Sequence, residues 1–157
     1  MNMKRALCIL SALAMVMAAG CEDSPTDPTN QPIVAEWTST RVGEAFAPAT
    51  EVELHFESDG SMHGSLGSAD IHGSYTTAGS SATSDIREIT LNMSMPITMS
   101  FVGIYQVSSD GTTMQMEVVP DNDNDDITPP SVAGGFGSTK DNGSSAGNRY
   151  ISDFTKM

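Results

Sequence analysis

Three histidines are the residues of this chain best equipped for chemistry. His55, His63 and His72 recur eight and nine positions apart, in a stretch where apolar and polar residues alternate. If each falls on its own strand of one sheet, the imidazoles share a polar face, with Glu57 opposite His63 and Asp70 opposite Ser65. Cross-strand neighbours stand close enough for a zinc or copper ion to bridge His63 and His72, with Glu57 as a third ligand and His55 alongside. The ordinary alternative is a row of solvated side chains on the outer face of a half-buried sheet.

Methionines form the second set. Met62, Met93, Met95, Met99, Met114 and Met116 all fall on expected strands. Their thioethers are soft ligands, and a pair such as Met93 and Met95 suits copper(I) where the sulfurs converge. Apolar alternation assigns the same residues to a packed core or an adaptable cavity. The third set is Asp121-Asn122-Asp123-Asn124-Asp125-Asp126. Its acidic spacing opens like a calcium loop, but Asp126 stands where an EF-hand needs Gly and Val132 where it needs Glu. That leaves a looser carboxylate loop or a solvated acidic connection.

Catalysis finds no support in these residues. No Ser stands in a nucleophile elbow, no His-Glu-x-x-His helix exists, and no Gly-rich phosphate loop follows a strand. Paired carboxylates lie only in polar stretches, where nothing raises one of them for acid catalysis. The expectation is a protein that is not an enzyme and carries no cofactor.

The elements that must position these groups are strands. Glu51 to Glu57 alternates strictly, with Val52, Leu54 and Phe56 on one face. The same period runs through Ile89, Leu91, Met93 and Met95, and through Met114, Met116 and Val118. Strands are predicted at 33–40, 51–57, 62–66, 69–76, 86–95, 97–107, 112–119 and 149–155. Asp59-Gly60 and Asp110-Gly111 mark hairpins. About eight strands joined by short turns make an all-β, antiparallel up-and-down barrel or a closed sandwich.

A one-residue slip would turn the apolar face to water, so register can be argued. With Ser61 added to the Asp59-Gly60 loop, Leu54 meets Leu66 and Phe56 meets Gly64. A two-residue turn at Asp110-Gly111 sets Val107 against Met114 and Tyr105 against Met116. A Gly67-Ser68 turn sets Leu66 against Ala69, Gly64 against Ile71 and His63 against His72. The segment from Pro120 to Asn148 is long and rich in Asp, Asn, Gly, Ser and Pro, as functional or disordered loops are.

Ahead of the strands lie two further segments. Lys4 and Arg5 lead into the uncharged run Ala6 to Ala19 and then Ala18-Ala19-Gly20-Cys21. This pattern belongs to an export signal and is too short for a comfortable membrane span. Its ending resembles the lipobox of bacterial lipoproteins, which implies cleavage before Cys21 and diacylation of its thiol. Residues 1–20 are then the signal peptide. Residues 21–32 form the lipidated cysteine and a flexible, Pro-rich tether, and 33–157 the folded domain. Cys8 leaves with the signal, so the mature domain holds no disulfide.

The whole chain carries a formal charge of −13; without Lys4 and Arg5 it is −15. Nucleic acid is a poor partner for such a surface. Two acyl chains would anchor the domain stably. The expected location is the bacterial cell envelope, at the outer membrane, facing the periplasm or the surface.

Ala35-Glu36-Trp37, the phrase Leu54 to Ser61, Gly73-Ser74-Tyr75 and Gly103-Ile104-Tyr105 resemble the small lipocalin-like domains of bacterial lipoproteins. The resemblance implies a barrel whose closed end is plugged by Trp37, with Arg149 or Lys156 packed over the indole. It also implies an apolar cavity, for which Trp37, Phe56, Met93, Met95, Tyr105, Met114 and Met116 are the lining candidates. The functional expectation is an anchored module that binds a small apolar or amphipathic ligand. The alternatives are an envelope protein-protein interaction module, using a sheet face or the 120–148 loop, and a weak divalent-metal binder through His63 and His72 or the acidic loop.

Overall fold

The computed structural model describes residues 32–81, 84–122 and 126–157. The signal segment, Cys21, nearly all of the tether and residues 123–125 of the acidic run lie outside the described residues.

Strands form where apolar residues alternate, since each inward side chain that is fully buried stabilises the fold by roughly 1.5–3 kcal/mol. They are β1 (Glu36–Arg41), β2 (Val52–Phe56), β3 (Ser61–Leu66), β4 (Ala69–Ser81), β5 (Ser84–Met95), β6 (Met99–Val107) and β7 (Thr113–Pro120), with β11 (Ile151–Lys156) completing the set. These eight close into an antiparallel barrel in the order β1-β11-β7-β6-β5-β4-β3-β2. Three two-residue strands, β8 (Ile127–Thr128), β9 (Lys140–Asp141) and β10 (Ser144–Ser145), make a separate small sheet inside the long connection.

The hairpins fix the register. In the β2–β3 loop, Gly60 N–H donates to Glu57 O at 3.1 Å and Glu57 N–H to Ser61 O at 3.0 Å. Gly60 takes φ +84°, and Asp59 Oδ1 accepts from the Ser61 amide at 2.9 Å and its hydroxyl at 2.6 Å. The loop is therefore Ser58–Gly60, and Phe56 faces Met62 while Val52 faces Leu66. This corrects the sequence register by two residues without changing which face is apolar. The β3–β4 pairing runs as expected, with Leu66 on Ala69, Gly64 on Ile71 and His63 on His72. So does β6–β7, with Val107 on Met114 and Tyr105 on Met116, although its loop spans Ser109–Thr112.

Boundaries shift where local geometry overrides the apolar period. Ile33 precedes β1, fully buried, and its carbonyl accepts the Trp37 indole N–H at 2.8 Å. Pro96 to Thr98 form a turn where the apolar period predicts the start of a strand, and Gly147–Tyr150 is a 3-10 turn before β11.

Side chains fill the barrel. Trp37, Leu54, Phe56, Ile71, Phe101, Tyr105, Met116 and Phe154 are all at most 2% exposed. Phe56 meets Tyr75 edge-on at 4.9 Å, and the Tyr75 hydroxyl donates to Glu57 O at 2.8 Å. Close backbone approach needs small residues inside: a Cβ at Gly103 would lie 2.0 Å from Glu117 O, and one at Gly73 2.1 Å from Asn92 O.

A second buried layer lies outside the β6–β7–β11 wall. Ile104, Val119 and Ile151 are at most 3% exposed yet do not belong to the barrel core. The strap from 126 to 150 covers them. Its clasp is Glu117, itself 0% exposed, whose Oε1 accepts from Thr139 N at 3.1 Å and Thr139 Oγ1 at 2.5 Å, and whose Oε2 accepts from Gly137 N at 2.6 Å.

Candidate functional site at the barrel mouth

The two barrel ends differ. Trp37, the β2–β3 and β6–β7 hairpins and the end of β11 crowd one of them, where Lys156 N–H donates to Thr112 O at 2.9 Å. Lys156 is the register partner of Trp37 but is exposed, while Arg149 is committed elsewhere.

The other end is shaped by the β1–β2 connection. Gly43 lets this segment press against β11: its N–H donates to Ser152 Oγ at 2.8 Å, and a Cβ there would lie 2.7 Å from the Tyr150 carbonyl. A 3-10 turn, Glu44–Phe46, follows, with Phe46 N–H on Gly43 O at 3.1 Å and Ala47 N–H on Glu44 O at 3.0 Å. Phe46 points back into the barrel, 3% exposed, its ring 5.6 Å from Phe101.

Between this segment, the Leu66–Ala69 turn and the Pro96–Met99 turn lies an open cavity of about 660 Å³, floored by Ile71, Met93 and Phe101. Its walls are mainly alanine, proline and aliphatic side chains, and Ile97 is 56% exposed at its rim. Among the described lining residues the one ionisable side chain is Glu44, whose carboxylate is 3.4 Å from Arg149 Nε; Arg149 also holds Asp141 of the strap. Such a site can take the apolar part of a small molecule, and its volume lies in the range of about 300–1,000 Å³ usual for small-molecule pockets.

Of the residues expected to line a cavity, Trp37, Phe56, Tyr105, Met114 and Met116 are packed into the barrel, and Met93 alone reaches the mouth. Met95 is 58% exposed. A register shift between His72 and Gly73 places it opposite His72, while Met93 pairs with Gly73. Met93 is thus buried while Met95 is open to solvent. The mouth segment itself escaped the sequence reading, although Ala45-Phe46-Ala47-Pro48-Ala49 is an apolar run between two strands that could have signalled it.

The histidines do form one outward row. His55 pairs with His63 and His63 with His72. The rings of His55 and His63 stack with centroids 4.7 Å apart. His55 Nδ1 is 3.4 Å from Glu36 Oε1, and His63 Nδ1 is 4.0 Å from Glu57 Oε1. Glu57 lies diagonal to His63 and not opposite it, because the loop register moved. Among the described residues no three His, Cys, Asp or Glu side chains converge as a metal site. Phe136 is half-buried in the strap.

No protein-family model matches the chain, and neither a curated protein nor a solved structure matches it.

Proposed function

We propose that this chain is a lipid-anchored, lipocalin-like barrel of the bacterial envelope that binds a small apolar or amphipathic ligand at its mouth and acts by binding, not catalysis. The observation that carries the binding reading is the 660 Å³ apolar cavity, with Glu44 at its charged rim. A ligand there would lay its apolar body against Ile71, Met93 and Phe101 and keep a polar head near Glu44 and Arg149. The anchoring reading is supported by the sequence from Lys4 to Cys21.

Titration with the neutral fluorophore N-phenyl-1-naphthylamine tests the cavity. Emission should rise on binding, and Ile97→Glu should weaken binding by about tenfold or more, near 1.4 kcal/mol, because a carboxylate would have to be desolvated at the rim. No emission change, together with no co-purifying lipid in native mass spectrometry, would sink the binding reading. Metabolic palmitate labelling tests the anchor: the chain should take up label and Cys21→Ser should not.

A further inference from the structure

We propose that the outer wall of the barrel carries a monovalent soft-metal site, selective for copper(I) or silver(I), built from His63, His72 and Met95. The strand register is the starting point. Along β3, β4 and β5 the pairings His63 with His72 and His72 with Met95 put two histidines and one methionine at successive partner positions across three strands, although they come from three separate stretches of sequence. Directly opposed residues have Cβ atoms about 4.5–5.5 Å apart, within reach of a shared ion once side chains adjust.

Met95 reaches that face through an irregularity. By simple alternation it would point inward as Met93 does, but the shift between His72 and Gly73 inserts an extra β5 residue and re-aims the end of the strand. The result is a methionine 58% exposed, its thioether open to solvent. His63 and His72 also line one shallow cleft of about 460 Å³ together with Ser94 of β5, so neither imidazole is buried away from solvent; Met95 stands just beyond that lining.

Ligand chemistry selects the ion. Zinc prefers four ligands from imidazole, thiolate and carboxylate, and no third such group converges here among the described residues. A soft monovalent ion accepts thioether sulfur together with imidazole nitrogen. Glu57, 4.0 Å from His63 Nδ1, adds favourable negative charge beside the site.

The test is anaerobic competition between the tag-free protein and the chromophoric copper(I) chelator bicinchoninate, with ascorbate present. One copper(I) per chain should be withdrawn. His72→Ala should abolish this, and Met95→Leu should weaken it by at least about tenfold, the lower end of what even an outer-shell partner produces. Met157→Leu, an equally exposed methionine, should leave it unchanged. Circular dichroism of each variant checks the fold. As an independent reading, silver(I) should move the methyl resonance of Met95 and spare that of buried Met93. Copper left wholly with the chelator, wild-type retention by Met95→Leu, or a zinc affinity matching that for copper(I) would each overturn the site.

Discussion

Glu117 is the residue on which the outer layer depends. Three donors from Gly137 and Thr139 converge on its carboxylate away from solvent. Removing the acceptor leaves those donors unpaired, and a hydrogen bond to a charged group is worth about 1.5–3 kcal/mol. Glu117→Ala should therefore lower the stability measured by urea unfolding by about 2–4 kcal/mol, and it should expose the 126–150 strap to proteolysis before the barrel. Tyr105 sets a limit at high pH. Burial, partly offset by Arg87 and by a hydrogen bond with Thr77, pushes its hydroxyl up to about 12. An unfolded tyrosine ionises near 10, so the unfolded chain releases that proton first. The contribution is complete below about pH 10 and is lost as pH rises toward 12, on the order of 2–3 kcal/mol. Urea midpoints at pH 9 and pH 11.5 should differ less in Tyr105→Phe than in the parent.

At the scale of elements, the close approach at Gly103 has a measurable cost of change. A methyl group there meets the Glu117 carbonyl at 2.0 Å, and forced overpacking typically costs about 1–3 kcal/mol. Gly103→Ala should shift the urea midpoint accordingly, whereas Gly79→Ala, with nothing within 4 Å but φ +57°, should show only the smaller backbone penalty, about 1 kcal/mol. Much of this level was legible in the residues. Alternation gave the eight barrel strands, apolar matching placed Val107 on Met114, and the Gly67-Ser68 turn placed His63 on His72. The first hairpin was misjudged by two residues because its outcome depends on backbone geometry: Gly60 takes the left-handed position that ends the loop, and Asp59 caps Ser61. The small sheet at β8–β10 was illegible, since two-residue strands have no period to read. Glu117 was hidden for another reason. Its outward position follows from alternation, but its burial depends on a strap whose own sequence looks like a solvated loop.

The whole molecule joins its mouth to its strap through Arg149, which meets Glu44 and Asp141. Exposed ion pairs contribute little to global stability. Arg149→Ala should change the unfolding free energy by less than about 1 kcal/mol, yet amide exchange at Phe46 and Ala47 should quicken as the mouth segment loses its tie. Unchanged exchange there would mean that Gly43 and Ser152 hold the segment alone. The same coupling predicts that an occupant of the cavity protects strap amides some distance from it.

Closure of the barrel by β11 between β1 and β7 has a consequence for biogenesis. Until Ile151–Lys156 has emerged from the ribosome, Trp37 lacks one neighbouring strand and two sheet edges stand open. A chain that stops before Ile151 therefore keeps both edges open and is a source of edge-to-edge aggregates.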